Sequence, residues 1–205
     1  MGLLVFAKAP RPGSVKTRLA NTLGPERACE IYEVLLRTLA AQLGHLQGVT
    51  VCFAPDDAEP DLRRYFPEHW RYRPQRGDDL GARLNHAISE AFEHGASKVA
   101  VIGADCPRVT PGDIADASLA LEHDDVVFGP AHDGGYWLIA MNQPHPTLFR
   151  AIDWGTANVL AQSQTRAREA RLKTGLLRSL ADIDTAADWD SYARSAARSL
   201  SGPYH

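Results

Sequence analysis

Three groups of residues have the types and spacing for phosphate chemistry. The first is the cation set Lys8, Arg11, Lys16 and Arg18, which has no acid among it in the run from Lys8 to Leu19. Cationic side chains and free backbone N–H groups at a helix start are what phosphate oxygens need; the plain alternative is a solvated basic loop. It is not a Walker A loop, because residue 15 is Val and no glycine stands at the required upstream position. The second is Asp105, at the end of Lys98-Val-Ala-Val-Ile-Gly-Ala-Asp-Cys-Pro107. A carboxylate there suits a hard cation such as Mg²⁺, or else caps the following turn. The third is Asp182-Ile-Asp-Thr185. In an extended segment both acids face away from Ile183. Thr185 with Asp188 already forms the helix cap, so the acids are free to supply a second carboxylate to pair with Asp105.

Two further patterns are weaker. Gln75 to Leu84 contains Gln75, Gly77 and Gly81. Gln can read a nucleobase edge and glycines admit a flat ligand, but turn chemistry explains the same residues. Ala131-His-Asp-Gly-Gly-Tyr136 is either a hairpin turn or a backbone shelf for an acceptor, with His132 or Asp133 touching it. Cys106 sits beside Asp105, whose charge would raise its pKa, so packing explains it better than a nucleophile.

These residues require elements to position them. Gly2–Ala7, Val49–Ala54, Trp70–Arg73, Val99–Ile102, Asp125–Pro130 and Tyr136–Met141 read as strands. Most are apolar throughout, as in a parallel sheet covered on both faces. Pro107 should stop its strand near Cys106 and leave Asp105 at the carboxyl edge, where open α/β sheets bind ligands. Ser14 is expected to cap a helix beginning at Val15-Lys16. Gly24-Pro25-Glu26 opens a second helix carrying Ala28, Ile31, Leu35, Leu39 and Leu43, closed by Gly44. A short helix is expected between Pro55 and Pro67. Asp78 or Asp79 caps a helix carrying Leu84 and Ile88, and Thr110-Pro-Gly-Asp113 resembles a capping box for a helix running to about Glu122. A helix from Trp154 to Ala170, capped by Thr156, and a last helix after Thr185 complete the set.

With 205 residues, the chain reads as one domain spanning 1–205. It is 44% hydrophobic and 23% charged, an ordinary soluble composition, and its net charge of −3 argues against a nucleic-acid partner. No run reaches transmembrane length, and Leu3 to Ala7 is too short for a signal core. Cys29, Cys52 and Cys106 lack disulfide or metal spacing, which fits a cytoplasmic location.

Val5-Phe-Ala-Lys-Ala-Pro-Arg-Pro-Gly-Ser-Val-Lys-Thr-Arg-Leu19, Gly103-Ala-Asp-Cys-Pro107, Gly129-Pro-Ala-His-Asp-Gly-Gly-Tyr136 and Asp182-Ile-Asp-Thr185 together resemble a bacterial family of glycosyltransferase-A-like transferases. Its members are labelled as a domain of unknown function or as glycosyltransferases, and it is related to the phospholactate and molybdenum-cofactor guanylyltransferases. The resemblance implies a three-layer α/β/α nucleotide-diphospho-sugar-transferase fold with a mixed, mostly parallel sheet. It implies Mg²⁺ or Mn²⁺ on Asp105 and Asp184, and a nucleotide held by Ala7, Lys8, Gly13, Lys16, Arg18, Gln75 and Gly81. His132, Asp133, Gly134, Gly135 and Tyr136 would face a small-molecule acceptor.

The reading that follows is nucleotidyl transfer from a nucleoside triphosphate to a phosphate-bearing acceptor, with Lys16, Arg18 and Asp105 as the catalytic set. Such chemistry needs positioning and charge neutralisation more than covalent help. Asp105 is followed by Cys106 and Pro107, not by the second Asp of a glycosyltransferase Asp-x-Asp pair. The rivals are glycosyl transfer from a nucleotide sugar and a non-catalytic nucleotide-binding protein on the same fold.

Overall fold

The computed structural model describes the backbone of residues 1–200 and the side chains of residues 1–196. The strands are β1 (Gly2–Lys8), β2 (Val49–Ala54), β3 (Arg71–Pro74), β4 (Val99–Gly103), β5 (Val126–Pro130), β6 (Tyr136–Met141) and β7 (Thr174–Leu176). The helices are α1 (Thr17–Leu23), α2 (Pro25–Leu43), α3 (Glu59–Leu62), α4 (Leu80–Glu93), α5 (Pro111–Ala120), α6 (Val159–Glu169) and α7 (Ala186–Leu200), with a 3₁₀ turn over Pro146–Phe149.

The seven strands form one sheet in the order β3-β2-β1-β4-β6-β5-β7. Only β6 runs antiparallel to its neighbours. The sheet is therefore mixed and mostly parallel, as expected. Val99, Ala100, Val101 and Ile102 of β4 are all buried, because the strand is covered on both faces. One face packs with α2 and α5 through Leu39, Leu43, Ile114 and Ala117. The other packs with α4 and α6 through Leu84, Ile88 and Ala167. Each such buried aliphatic side chain contributes about 1.5–3 kcal/mol relative to exposure.

The order matters for function. From β1 the chain winds outward to β2 and β3, then returns to place β4 on the other side of β1. The carboxyl ends of β1 and β4 thus flank a switch point, where a crevice opens. Because β6 is antiparallel, its first residue, Tyr136, reaches the same edge as Pro130 at the end of β5.

Three local expectations are corrected. Ser14 does not cap α1: the helix begins at Thr17, and Lys16 occupies the cap position in a left-handed conformation with no side-chain cap bond. Thr156 does not cap α6, which starts at Val159 after Asn158. Its hydroxyl instead donates to the Asp153 carbonyl at 2.8 Å, closing a turn that holds Trp154 and Gly155 outside the helix. Trp70 precedes β3, which covers Arg71–Pro74. The cap on α4 is Asp79, which accepts from the Ala82 N–H at 2.7 Å. Both capping boxes form, Thr110 with Asp113 and Thr185 with Asp188.

Candidate active site

The basic loop leaves β1 at the switch point. Three of its four cations, Lys8, Lys16 and Arg18, stay there. Arg11 turns away and pairs with Asp57 at 3.1 Å and Asp61 at 2.9 Å, which anchors the loop to α3. That corrects its place among acid-free phosphate cations. Lys8 is exposed, and its backbone N–H donates to the buried Tyr32 hydroxyl at 3.0 Å. Gly13 is exposed at φ +79°, with nothing near the place a Cβ would take. Lys16 has φ 47° and ψ 48°. A non-glycine residue in this region costs about 1–3 kcal/mol and persists only where its surroundings hold it.

What holds Lys16 is a pair of carboxylates. Its ammonium lies 2.8 Å from Asp105 Oδ2 and 3.0 Å from Asp184 Oδ1, and the side chain is only 4% exposed. Arg18 reaches Asp184 Oδ2 at 3.3 Å and donates to the Gly155 carbonyl at 3.2 Å. Asp184 lies 168 positions after Lys16 in the chain, and three devices bring it in. Ile183 is buried, so the alternation turns Asp182 and Asp184 to the other side. Leu180 bridges to Ala131, donating to the Pro130 carbonyl and accepting from the His132 N–H, so this segment extends the edge of the sheet. The Asp188 carboxylate accepts from the backbone N–H of Asp184 and of Thr185, fixing where α7 begins.

The charges around the site are uneven. Burial pulls the Lys16 ammonium toward deprotonation, but Asp105 and Asp184 outweigh it and hold its pKa above the ordinary value. Burial likewise pushes Asp105 up, and Lys16 outweighs it and holds the carboxyl below the usual range. Asp182 makes no ion pair among the described residues, and Lys16 offsets its surroundings only in part. Burial first, then the charges of Asp105, Asp133 and Asp184, push its pKa up to about 7. The sequence offers both Asp182 and Asp184 as a second carboxylate, and the structure separates them: Asp184 meets Lys16, while the surroundings of Asp182 depend on Asp105 and Asp133 from the segments that follow β4 and β5. Cys106 is buried, and burial with the nearby Asp182 and Asp105 pushes its thiol up to about 12, against a nucleophilic role.

Among the described residues, no three His, Cys, Asp or Glu side chains close on one point as a ready-made metal centre. Asp105 and Asp184 do share one cation, the Lys16 ammonium. Their oxygens are the hard donors that Mg²⁺ or Mn²⁺ takes, usually with phosphate and water oxygens completing the shell. The donor set fits such a cation, provided Lys16 exchanges its partners.

Most of the remaining predicted residues line two neighbouring lobes that share Phe6 and Leu80. A lobe of about 220 Å³ is lined by Ala7, Lys8, Lys16, Gln75 and Asp105 among others. Gln75 spends its amide N–H groups on the Cys52 carbonyl at 2.9 Å and the Ala7 carbonyl at 3.4 Å, tying the ends of β1 and β2 together. A second lobe of about 230 Å³ holds Asp133, Gly135 and Tyr136, and Phe6 and Leu80 line both. Gly81 lies beside the second lobe: a Cβ there would stand 2.6 Å from the Phe149 carbonyl oxygen and 2.9 Å from Trp154 Nε1. Its glycine answers to packing, and it is not among the residues that line the lobe with Gln75. Gly134 has φ +89°, and a Cβ would collide with the Ala157 carbonyl at 2.1 Å. Asp133 Oδ1 accepts from the Gly135 N–H at 2.9 Å, which sets the turn, and His132 is exposed beside it. Trp154 and Gly155 also line the second lobe, and neither carried a sequence signal for a site.

The molecule is similar to several solved structures. A protein of Desulfovibrio desulfuricans G20, assigned as a nucleotide-diphospho-sugar transferase, is 32% identical, with a TM-score of 0.87 over 95% of this chain and 88% of that one. A CMP:2-keto-3-deoxy-manno-octonic acid synthetase complexed with CTP is 14% identical, with a TM-score of 0.60 over 97% and 98% of the two chains. A Mycobacterium tuberculosis H37Rv protein in complex with manganese is 15% identical, with a TM-score of 0.55 over 94% and 98%. The last two likenesses are of fold. No curated protein matches the sequence. Residues 37–156 match the bacterial family described as "Uncharacterized protein conserved in bacteria (DUF2064)". That match runs from α2 through the Asp105 strand and the Asp133 turn to the Trp154 loop, and with the Desulfovibrio likeness across nearly the whole chain it makes this protein a member of the DUF2064 family.

Proposed function

We propose that the protein is a metal-assisted nucleotidyltransferase. An oxyanion of a small phosphate-bearing acceptor attacks the α-phosphate of a nucleoside triphosphate, a P–O bond forms, and pyrophosphate leaves with the electrons of the broken one. The observation that carries this reading is the buried Lys16 ammonium shared by Asp105 and Asp184 at the switch point. A cation-seeking pair of carboxylates beside Lys16 and Arg18 is the combination a polyphosphate requires. Asp105 and Asp184 would hold Mg²⁺ or Mn²⁺, which neutralises phosphate charge when bound. Lys16 would exchange carboxylate for phosphate oxygens as a point charge, and Arg18 would offer two N–H groups. A phosphate acceptor is already ionised at neutral pH and needs no general base. The fold-level likeness to a synthetase holding CTP, and to a protein holding manganese, supports the same donor class and cofactor.

The Desulfovibrio likeness favours a second reading, glycosyl transfer from a nucleotide sugar. Asp133, in the second lobe, would then orient or deprotonate an acceptor hydroxyl. Product analysis separates the two. Pyrophosphate release from a triphosphate with acceptor supports nucleotidyl transfer; nucleoside diphosphate release from a nucleotide sugar sinks it. A non-catalytic role on the same fold predicts Mg²⁺-dependent nucleotide binding with neither product. Asp105→Ala should abolish metal-dependent nucleotide binding while the protein still melts cooperatively, and unchanged binding would remove Asp105 from the site.

A further inference from the structure

The two lobes differ in chemistry in a way that bears on the acceptor. The nucleotide-side lobe carries Lys8, Lys16 and Asp105. The second lobe is walled by Phe6, Leu84, Ile139, Tyr136, Trp154 and Val159, with no lysine or arginine among its lining residues and Asp133 as its acid. Several of its polar groups are buried or already engaged. The Tyr136 hydroxyl is buried beside Ser163. The Trp137 indole N–H donates to the Arg178 carbonyl at 3.1 Å. Asp133 Oδ1 accepts from Gly135, and the Thr156 hydroxyl donates to Asp153. An anionic body would find no lysine or arginine among the lining residues, and a polyol would regain only part of the hydrogen bonding it loses to water on a mostly apolar wall. A hydrocarbon body would lose only water it binds weakly.

We propose that this lobe selects an acceptor with an uncharged, hydrocarbon-like body. The acceptor's phosphate would sit at the boundary where Arg18 meets the Gly155 carbonyl. The volume of about 230 Å³ holds roughly eight water- or methylene-sized groups at about 30 Å³ each. That the occupant is the acceptor rests on the nucleotidyl reading; the lobe's preference for apolar phosphates stands without it.

The test is a ligand-detected NMR titration of the full chain with four phosphates. Cyclohexyl phosphate and isoamyl phosphate are apolar; glycerol 3-phosphate and 3-phosphoglycerate are polar. The apolar pair should bind at least tenfold more tightly. Leu80→Lys places a cation at the rim shared by both lobes, at a residue already 42% exposed, and should remove or reverse that preference. Equal affinities, tighter binding of the polar pair, no binding by the apolar pair, or an unchanged preference in Leu80→Lys would each overturn the proposal. A parallel titration with Mg²⁺ and CTP or GTP reads the nucleotidyl proposal separately. If the apolar preference stands and neither triphosphate binds, that reading fails while the lobe's selectivity survives.

Discussion

Replacing Lys16 by Met tests whether the ammonium stands where a divalent cation is wanted. Lys16 makes contacts of 2.8 and 3.0 Å to Asp105 and Asp184. Each contact to a charged group contributes about 1.5–3 kcal/mol in a buried setting. Two corrections lower that. Asp105 and Asp184 are 45% and 32% exposed, so water rehydrates them once Lys16 is gone. Methionine also relieves the cost of burying an ammonium. A net loss of about 1–3 kcal/mol in metal-free buffer follows, read by urea denaturation.

The decisive part is the response to metal. With the ammonium removed, Mg²⁺ should bind the freed carboxylates more tightly than it binds the parent. At ten times its Kd it should restore about 1.4 kcal/mol. Triphosphate affinity should move the other way, falling by about 1.5–3 kcal/mol because a phosphate partner is lost. A lysine that merely supported the fold would weaken both. Unchanged stability with unchanged or weaker Mg²⁺ binding in Lys16→Met would refute the reasoning. Adding Asp184→Asn to Lys16→Met should recover stability in metal-free buffer and erase the Mg²⁺ response.

Two further outcomes are expected. Gly134→Ala must adopt φ +89° and move its Cβ away from the Ala157 carbonyl; a loss of at least about 2 kcal/mol is expected, lowering Tm by several degrees, and an unaltered Tm would contradict the packing of the acceptor turn. The Asp113 carboxylate, 5% exposed, accepts from Arg178 at 2.6 and 2.7 Å and from the Thr110 N–H at 2.7 Å. Burial pushes its pKa up, but Arg178 and Thr110 outweigh burial and hold it below the usual range. A depressed folded-state pKa stabilises the protein above the unfolded value of about 3.9 and loses that contribution as pH falls through the folded value. Asp113→Asn should therefore cost about 1–3 kcal/mol at pH 7, discounted because Arg178 is half-exposed, and the difference from the parent should shrink below about pH 4. A pH-independent difference between the two proteins would refute it.

What could be read before the structure was what local chemistry decides. The apolar run of β4 and its stop at Pro107 place Asp105 from a few neighbouring residues. The Thr110 and Thr185 boxes are contained in four residues each, and both formed. Errors arose where a distant partner decided. Arg11 belongs to a cation-rich loop by sequence, yet Asp57 and Asp61 on the far side of β2 claim it. Ser14 has the chemistry of a cap, but the left-handed turn at Lys16, held by acids from β4 and the C-terminal segment, delays the helix to Thr17. The three-residue edge strand β7 is too short to carry a pattern. The aromatic second lobe was invisible because Phe6, Tyr136 and Trp154 come from three separate segments.

The same distinction explains why the site is built from opposed charges. Asp105, Asp133 and Asp184 all bear on Asp182 at the sheet edge, with Lys16 as the buried cation beside them. Such a cluster is a poor device for stability, since like charges repel and a buried ammonium costs solvation. Nor does α7 need Asp182 or Asp184 for its cap, which Thr185 and Asp188 complete. Replacing a buried ion cluster by apolar residues of similar volume is often neutral or stabilising. The chain instead holds Lys16 in a strained backbone conformation so that its ammonium fills the gap between two carboxylates. In the nucleotidyl reading, that clasp neutralises the two acids until cation and phosphate arrive together. It also makes the site's affinity for either one depend on the other, so triphosphate should raise Mg²⁺ affinity by the same factor that Mg²⁺ raises triphosphate affinity.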